Sequence, residues 1–164
     1  MVRNFSITTW KTISLGTFED VQGLQAAILD AGFRIGDWAR DVLDKPHFHL
    51  EKKKKEVDLV KVSAGDFGFD KGLPRADLYN KATTLGLEMC PLEVGPQLRI
   101  QYKNQPKLES LQIGMDPEID SVGHKSEFRV VHGADGYLWL VGDHKHPNDH
   151  WGAKEYFVFV KPRV

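Results

Sequence analysis

The sequence predicts an α+β fold: a β-meander of about five antiparallel strands in the C-terminal half, packed with two main helices and a β-hairpin from the N-terminal half. Three observations predict it. Apolar residues at helical spacing fall in stretches before Gly86. Strand-like alternation dominates after Gly95. Asp135-Gly136 lies between two alternating apolar runs, a strong hairpin signature.

In chain order, Thr17-Phe18-Glu19-Asp20 offers a capping hydroxyl and first-turn acids, and Val21, Leu24, Ile28 and Ala31 form a helical stripe. Gly32 suits the left-handed residue that closes such a helix. Asp37 is placed to cap a short second helix bearing Trp38, Val42 and Leu43, which Pro46 stops. His47 to Glu51 alternates like a strand, Lys52 to Lys55 is the turn, and Val57 to Val62 is the return, so a hairpin is expected. Ser63 to Gly72 reads as a loop with Phe67 and Phe69 as plugs. Pro74 opens another helix, with Leu78, Ala82 and Leu85 on its stripe and Tyr79 behind them. Cys90-Pro91 and Gly95-Pro96 mark a turn region. Leu98, Ile100 and Tyr102 then alternate with Gln97, Arg99, Gln101 and Lys103, predicting a half-buried strand. Leu111, Ile113 and Met115 predict the next. Phe128 and Val130 pair through the Gly133–Gly136 turn with Tyr137 to Val141. Tyr156 to Val160 is continuously apolar and is expected at the sheet centre, covered on both faces.

The 164 residues read as one domain, residues 1–164, long enough to bury a core without staples. Charge is balanced, 22 Lys+Arg against 23 Asp+Glu, so no global field favours nucleic acid or an anionic membrane. One cysteine, Cys90, rules out an internal disulfide and fits a reducing, cytoplasmic setting. Neither a secretion signal nor an apolar run near 20 residues is present, so no membrane partner is expected.

Four features bear on chemistry. First, the period-two polar side of the 97–103 segment presents Gln97, Arg99, Gln101 and Lys103. Gln112 and either Glu127 with Arg129 or their opposites extend it. Such a face can hold a polar ligand by forked hydrogen bonds. An acid–base site using Glu93, Arg99 and His124 or His132 is the enzymatic alternative on the same sheet. Second, His144, His146 and His150 lie within a Gly-, Asn- and Asp-rich loop, and His47 and His49 form another His-x-His pair. Zinc binding is the chemistry they would support, but Glu51 and Glu56 sit at the wrong spacing for a cupin-type set, and a polar turn accounts for the composition. Third, Lys52 to Lys55 is flanked by Glu51 and Glu56 without interleaved aromatics, which favours edge-strand protection over nucleic-acid contact. Fourth, Cys90 before Pro91 has no base near it in sequence and reads as a small buried residue.

Leu85-Gly86-Leu87-Glu88-Met89-Cys90-Pro91-Leu92-Glu93-Val94-Gly95-Pro96-Gln97-Leu98-Arg99, followed by Gln101-Tyr102-Lys103-Asn104-Gln105-Pro106, is a long motif. With Ala76 to Tyr79, Phe33 to Ala39 and Phe157 to Val160, it resembles a family of small uncharacterised bacterial proteins. The resemblance implies a soluble bacterial protein with a single compact domain, and carries no activity, cofactor or catalytic residue. The lysine run and the C-terminal histidines depart from that pattern. The function expected is therefore a binding or interaction protein working through a polar sheet face. A protein or small polar ligand is favoured over nucleic acid, and no cofactor is expected. A small hydrolase or nuclease, or a metal binder through the histidine loop, are the alternatives.

Overall fold

The structure is a computed structural model and describes residues 7–119, 121–144 and 148–163. In chain order its elements are β1 (Lys11–Leu15), α1 (Val21–Asp30), β2 (Arg34–Ile35), α2 (Asp37–Leu43), β3 (Lys55–Ser63), β4 (Leu73–Pro74), α3 (Arg75–Thr84) and α4 (Val94–Gln101). Then follow β5 (Ser110–Ile113), β6 (Glu118–Ile119), β7 (Lys125–His132), β8 (Leu138–His144), β9 (His150–Trp151) and β10 (Tyr156–Lys161). The main sheet runs β1-β3-β10-β5-β7-β8-β2, with β6 against β7, and β4 and β9 form a separate ribbon.

The α+β class holds, but the sheet is mixed and not an antiparallel meander. β10 lies parallel to β5 and β2 parallel to β8. Parallel neighbours need long crossovers, and these join segments far apart in sequence. β10 lies third from the β1 edge, as its apolar run implies. Val158 and Val160 point into one core cluster, with Ile13, Leu59, Leu98 and Phe128. Phe157 and Phe159 point into the other, with Val60, Val62, Leu78 and Tyr79. Helices α1, α2 and α4 share the first face with its cluster, and α3 covers part of the second.

The expected helices form at α1, α2 and α3, with altered caps. Asp20, not Thr17, caps α1 through Gly23 N (2.7 Å), and Gly36 stands at the cap of α2, with Asp37 already inside the helix. The expected 47–62 hairpin is absent, because residues 48–51 form no strand. Phe48 is buried in the core, and the Glu51 backbone N–H donates to the Glu93 carboxylate instead of a neighbouring strand (2.7 Å). β3 pairs with β1 and β10. Phe67 plugs the second core, while Phe69 is exposed.

The largest departure is α4. The 97–103 segment was expected as a strand and is helical through Gln101. Pro96 occupies the first helical turn, where its missing N–H costs nothing. Gly95 meets the Phe128 ring so closely that a Cβ there would lie 2.6 Å from it, so only glycine lets the helix sit down on β7. The helix buries polar groups as well as apolar ones. Glu93, Gln97 and Gln101, four residues apart, form one polar row facing β1. Gln101 Oε1 accepts from Ser14 N (2.9 Å), and Gln101 Nε2 donates to Ser14 O (2.8 Å). Gly16 N donates to Glu93 Oε2 (2.7 Å). The side-chain amide thus does at the sheet edge what another strand's backbone would do. Replacing Gln101 by leucine is expected to lower unfolding free energy by about 1–3 kcal/mol through two unpaired backbone groups. It should also raise self-association through the opened edge. Urea unfolding and sedimentation velocity read the two effects, and unchanged values for both would refute the clamp.

Candidate functional site

The residues expected to form a working sheet face are largely internal. Gln97 and Arg99 are buried, and Gln101 is held at the β1 edge; Lys103 sits exposed in the turn after α4. The four cannot present one face, because the helix turns Gln97 and Gln101 toward β1 and Arg99 toward β7 and β8. Arg99 Nη1 donates to Gln105 Oε1 (2.7 Å) and to the carbonyls of Val131 and Trp139 (3.2 Å each), and Nη2 to Tyr102 O (2.7 Å). Desolvation lowers its pKa to about 10, so it stays charged at neutral pH.

The enzymatic set does not share one centre. Glu93 is occupied by Gly16 N, Glu51 N and Gln97 Nε2, while Arg99 faces the β7–β8 turn region. His132 Nδ1 lies 2.8 Å from Gln105 O, beside Arg99's partner. His124 lies just before β7, eight residues away, on the order of 25 Å along the strand. Cys90 is buried, its Sγ donating to Val158 O (3.4 Å), and burial pushes its thiol well above the usual range. A protonated, enclosed thiol is no nucleophile.

Among the histidines, His144 ends β8 and His150 lies on β9 opposite Pro74, while His146 falls outside the described residues. Among the described residues no group of three or more His, Cys, Asp or Glu is gathered to hold a metal. His47 Nε2 bonds the Glu118 carboxylate. No helix among the described residues is long and apolar enough to cross a membrane.

A wet face does exist, on other strands. Along β7 and β8 the second sheet face carries Arg129, Val131, Trp139, Val141 and Asp143, all half-buried, because α3 covers the β3–β10 side and meets β7 at Glu127. Gln112, which the sequence placed on this face, pairs in register with Arg129. Glu127 shares the face but is sealed beneath α3: Arg75 forms an ion pair with it, and Tyr79 Oη (3.0 Å) and Gln112 Nε2 (3.1 Å) donate to it. Burial pushes the Tyr79 phenol above its ordinary range, so it remains a donor.

Where covered and open halves meet lies a cleft of about 140 Å³ lined by Ser110, Gln112, Arg129, Trp151, Glu155 and Tyr156. Gln112 is 2% exposed; its Nε2 is held by Glu127 and by Phe128 O (3.2 Å), and its Oε1 has no hydrogen-bond partner. Arg129 is paired with Asp143 (3.0 Å) and keeps 39% of its side chain exposed. Trp151 stands edge-on to Phe157. A larger, open cleft of about 750 Å³ lies between the start of α1, the end of α2 and residues 46–52. Its Glu19, Asp20, Asp44 and Lys52 are exposed, and none of the buried unpaired polar atoms belongs to a residue lining it. Sequence reasoning missed Trp151, Glu155 and Tyr156, whose convergence on Gln112 depends on the parallel β5–β10 pairing. No protein-family model, no curated protein and no solved structure matches this chain.

Proposed function

We propose that the protein is a binding protein whose working surface is the open half of the second sheet face, centred on Gln112 and Arg129. The observation that carries the reading is the buried Gln112 Oε1. Gln112 lines the cleft, and its sealed, unpaired acceptor costs stability that a ligand N–H would recover on opening a path to it. Around it the cleft offers a guanidinium, a carboxylate, two hydroxyls and two aromatic rings. A volume of about 140 Å³ holds roughly five water-sized groups, well below a drug-sized pocket. The ligand class that fits is a small zwitterion of amino-acid size. Its carboxylate meets Arg129 and its ammonium donates to Gln112 Oε1 and Glu155.

Titration of the labelled protein with a panel of free amino acids tests this. Amide shifts should cluster at residues 110–112, 127–131 and 151–156, and Arg129→Gln should weaken binding at least tenfold. Shifts confined to the larger cleft, or none with any amino acid, would sink the reading.

A further inference from the structure

We infer that His124 and His144 form a two-imidazole site for a divalent transition-metal ion of the copper(II) or nickel(II) type, separate from the sheet-face cleft. The fold makes the pair. Ser126 of β7 stands opposite His144 of β8, and His124 lies two residues before Ser126, just ahead of the strand, where its ring meets that of His144. The two rings are 4.3 Å apart between centroids, inclined at 44°, and both residues are exposed. Twenty positions separate them in sequence, so no His-x-His spacing signals the site.

The separation is short enough for both rings to share one ion. With metal–nitrogen bonds of about 2.0–2.1 Å and about 1.1 Å from nitrogen to ring centre, a shared ion stands about 3.2 Å from each centroid. Centroids 4.3 Å apart then subtend about 85° at the ion. A shared ion at that spacing holds the two imidazoles as a cis pair, the arrangement of a tetragonal or octahedral ion. Imidazole nitrogen suits copper and nickel, and copper(II) leads the affinity order among first-row divalent ions. Among the described residues no third His, Cys, Asp or Glu is gathered with them to hold a metal, which leaves the remaining positions to water. Trp38, at the start of α2, packs on His144 at 4.5 Å between ring centroids, edge to face. This places an indole reporter directly beside the ion, because copper(II) quenches nearby tryptophan emission.

The test uses the full chain and copper(II) alone. Titration should quench tryptophan emission with one tight equivalent, and the frozen-solution electron paramagnetic resonance spectrum should show two nitrogen donors. His124→Ala and His144→Ala should each weaken binding at least tenfold, while His47→Ala and His150→Ala bind as the wild type does. Trp38→Phe should remove most of the quenching and leave the resonance spectrum intact. Wild-type affinity in His124→Ala would overturn the site. So would loss on His144→Ala alone, which would place the ion on the loop after β8. Circular dichroism of each variant separates lost binding from lost folding. Amino-acid binding at the sheet-face cleft is read independently in the same variants.

Discussion

Replacing Arg99 by methionine is expected to lower the unfolding free energy by about 4 kcal/mol. Two effects oppose each other at this residue. Its guanidinium is fully buried and has four neutral oxygen acceptors but no hydrogen-bonded carboxylate. The fall in its pKa from 12.5 to about 10 corresponds to roughly 3 kcal/mol against the charged form, and methionine relieves that cost. Methionine also strips donors from Gln105 Oε1 and from the carbonyls of Tyr102, Val131 and Trp139, each costing about 1–3 kcal/mol when buried and unpaired. The second effect wins. It also unpins α4 from the β7–β8 hairpin, since Arg99 is what bonds the helix to both strands. Lysine should not rescue, because a single ammonium cannot reproduce a planar fork reaching four acceptors. Urea unfolding followed by far-ultraviolet circular dichroism measures both variants. A methionine variant within about 1 kcal/mol of wild type would show that the charge cost dominates.

The second large effect lies under α3. Arg75→Met should cost about 3–5 kcal/mol, because it leaves the Glu127 carboxylate enclosed without its cation. The loss extends beyond the ion pair. Arg75 also donates to Met115 O (3.3 Å), and its guanidinium lies over the Tyr79 ring at 4.1 Å. Removing both partners, as in Arg75→Met with Glu127→Leu, should recover most of the loss, since an apolar pair of similar volume needs no desolvation. The expected signature is a favourable coupling energy of about 2 kcal/mol or more in a double-mutant cycle. Additive losses would mean that Tyr79 and Gln112 satisfy Glu127 without Arg75.

Much of the fold was legible where one local pattern meets one local cause. α1 and α3 follow from a single apolar stripe ended by Gly32 and Gly86, both with positive φ. The β7–β8 hairpin follows from Asp135-Gly136, and β10 from its unbroken apolar run. α4 was hidden because it buries polar residues around its circumference. Leu98, Ile100 and Tyr102 alternate with Gln97, Arg99 and Gln101, which mimics a strand whenever polar is taken to mean exposed. Here the polar side chains replace missing backbone partners, a pairing visible only in three dimensions. β1 and β2 gave no signal of their own, being short edge segments. Of the residues expected on the polar face, Gln112 and Arg129 line the cleft, because their strand assignments were correct, while the 97–103 set does not. The 85–106 motif is spent on internal hydrogen bonds through Glu93, Gln97, Arg99, Gln101 and Gln105, so its polar residues serve the architecture.

The position of β10 has a consequence for how the chain is made. β3 is complete at residue 63 and β5 at residue 113, yet the strand that joins them ends at residue 161. At about 5–20 residues per second, roughly 5–20 seconds of synthesis separate β3 from its partner. Throughout that interval one long edge of β3 stands unpaired, with Val60 and Val62 uncovered by Phe157 and Phe159. Assembly of the sheet centre therefore waits for β10 and is dominated by contacts distant in sequence, a topology that folds slowly. Until β10 is made, that apolar edge is open to pairing with another chain, the exposure that makes partly folded sheets prone to aggregate.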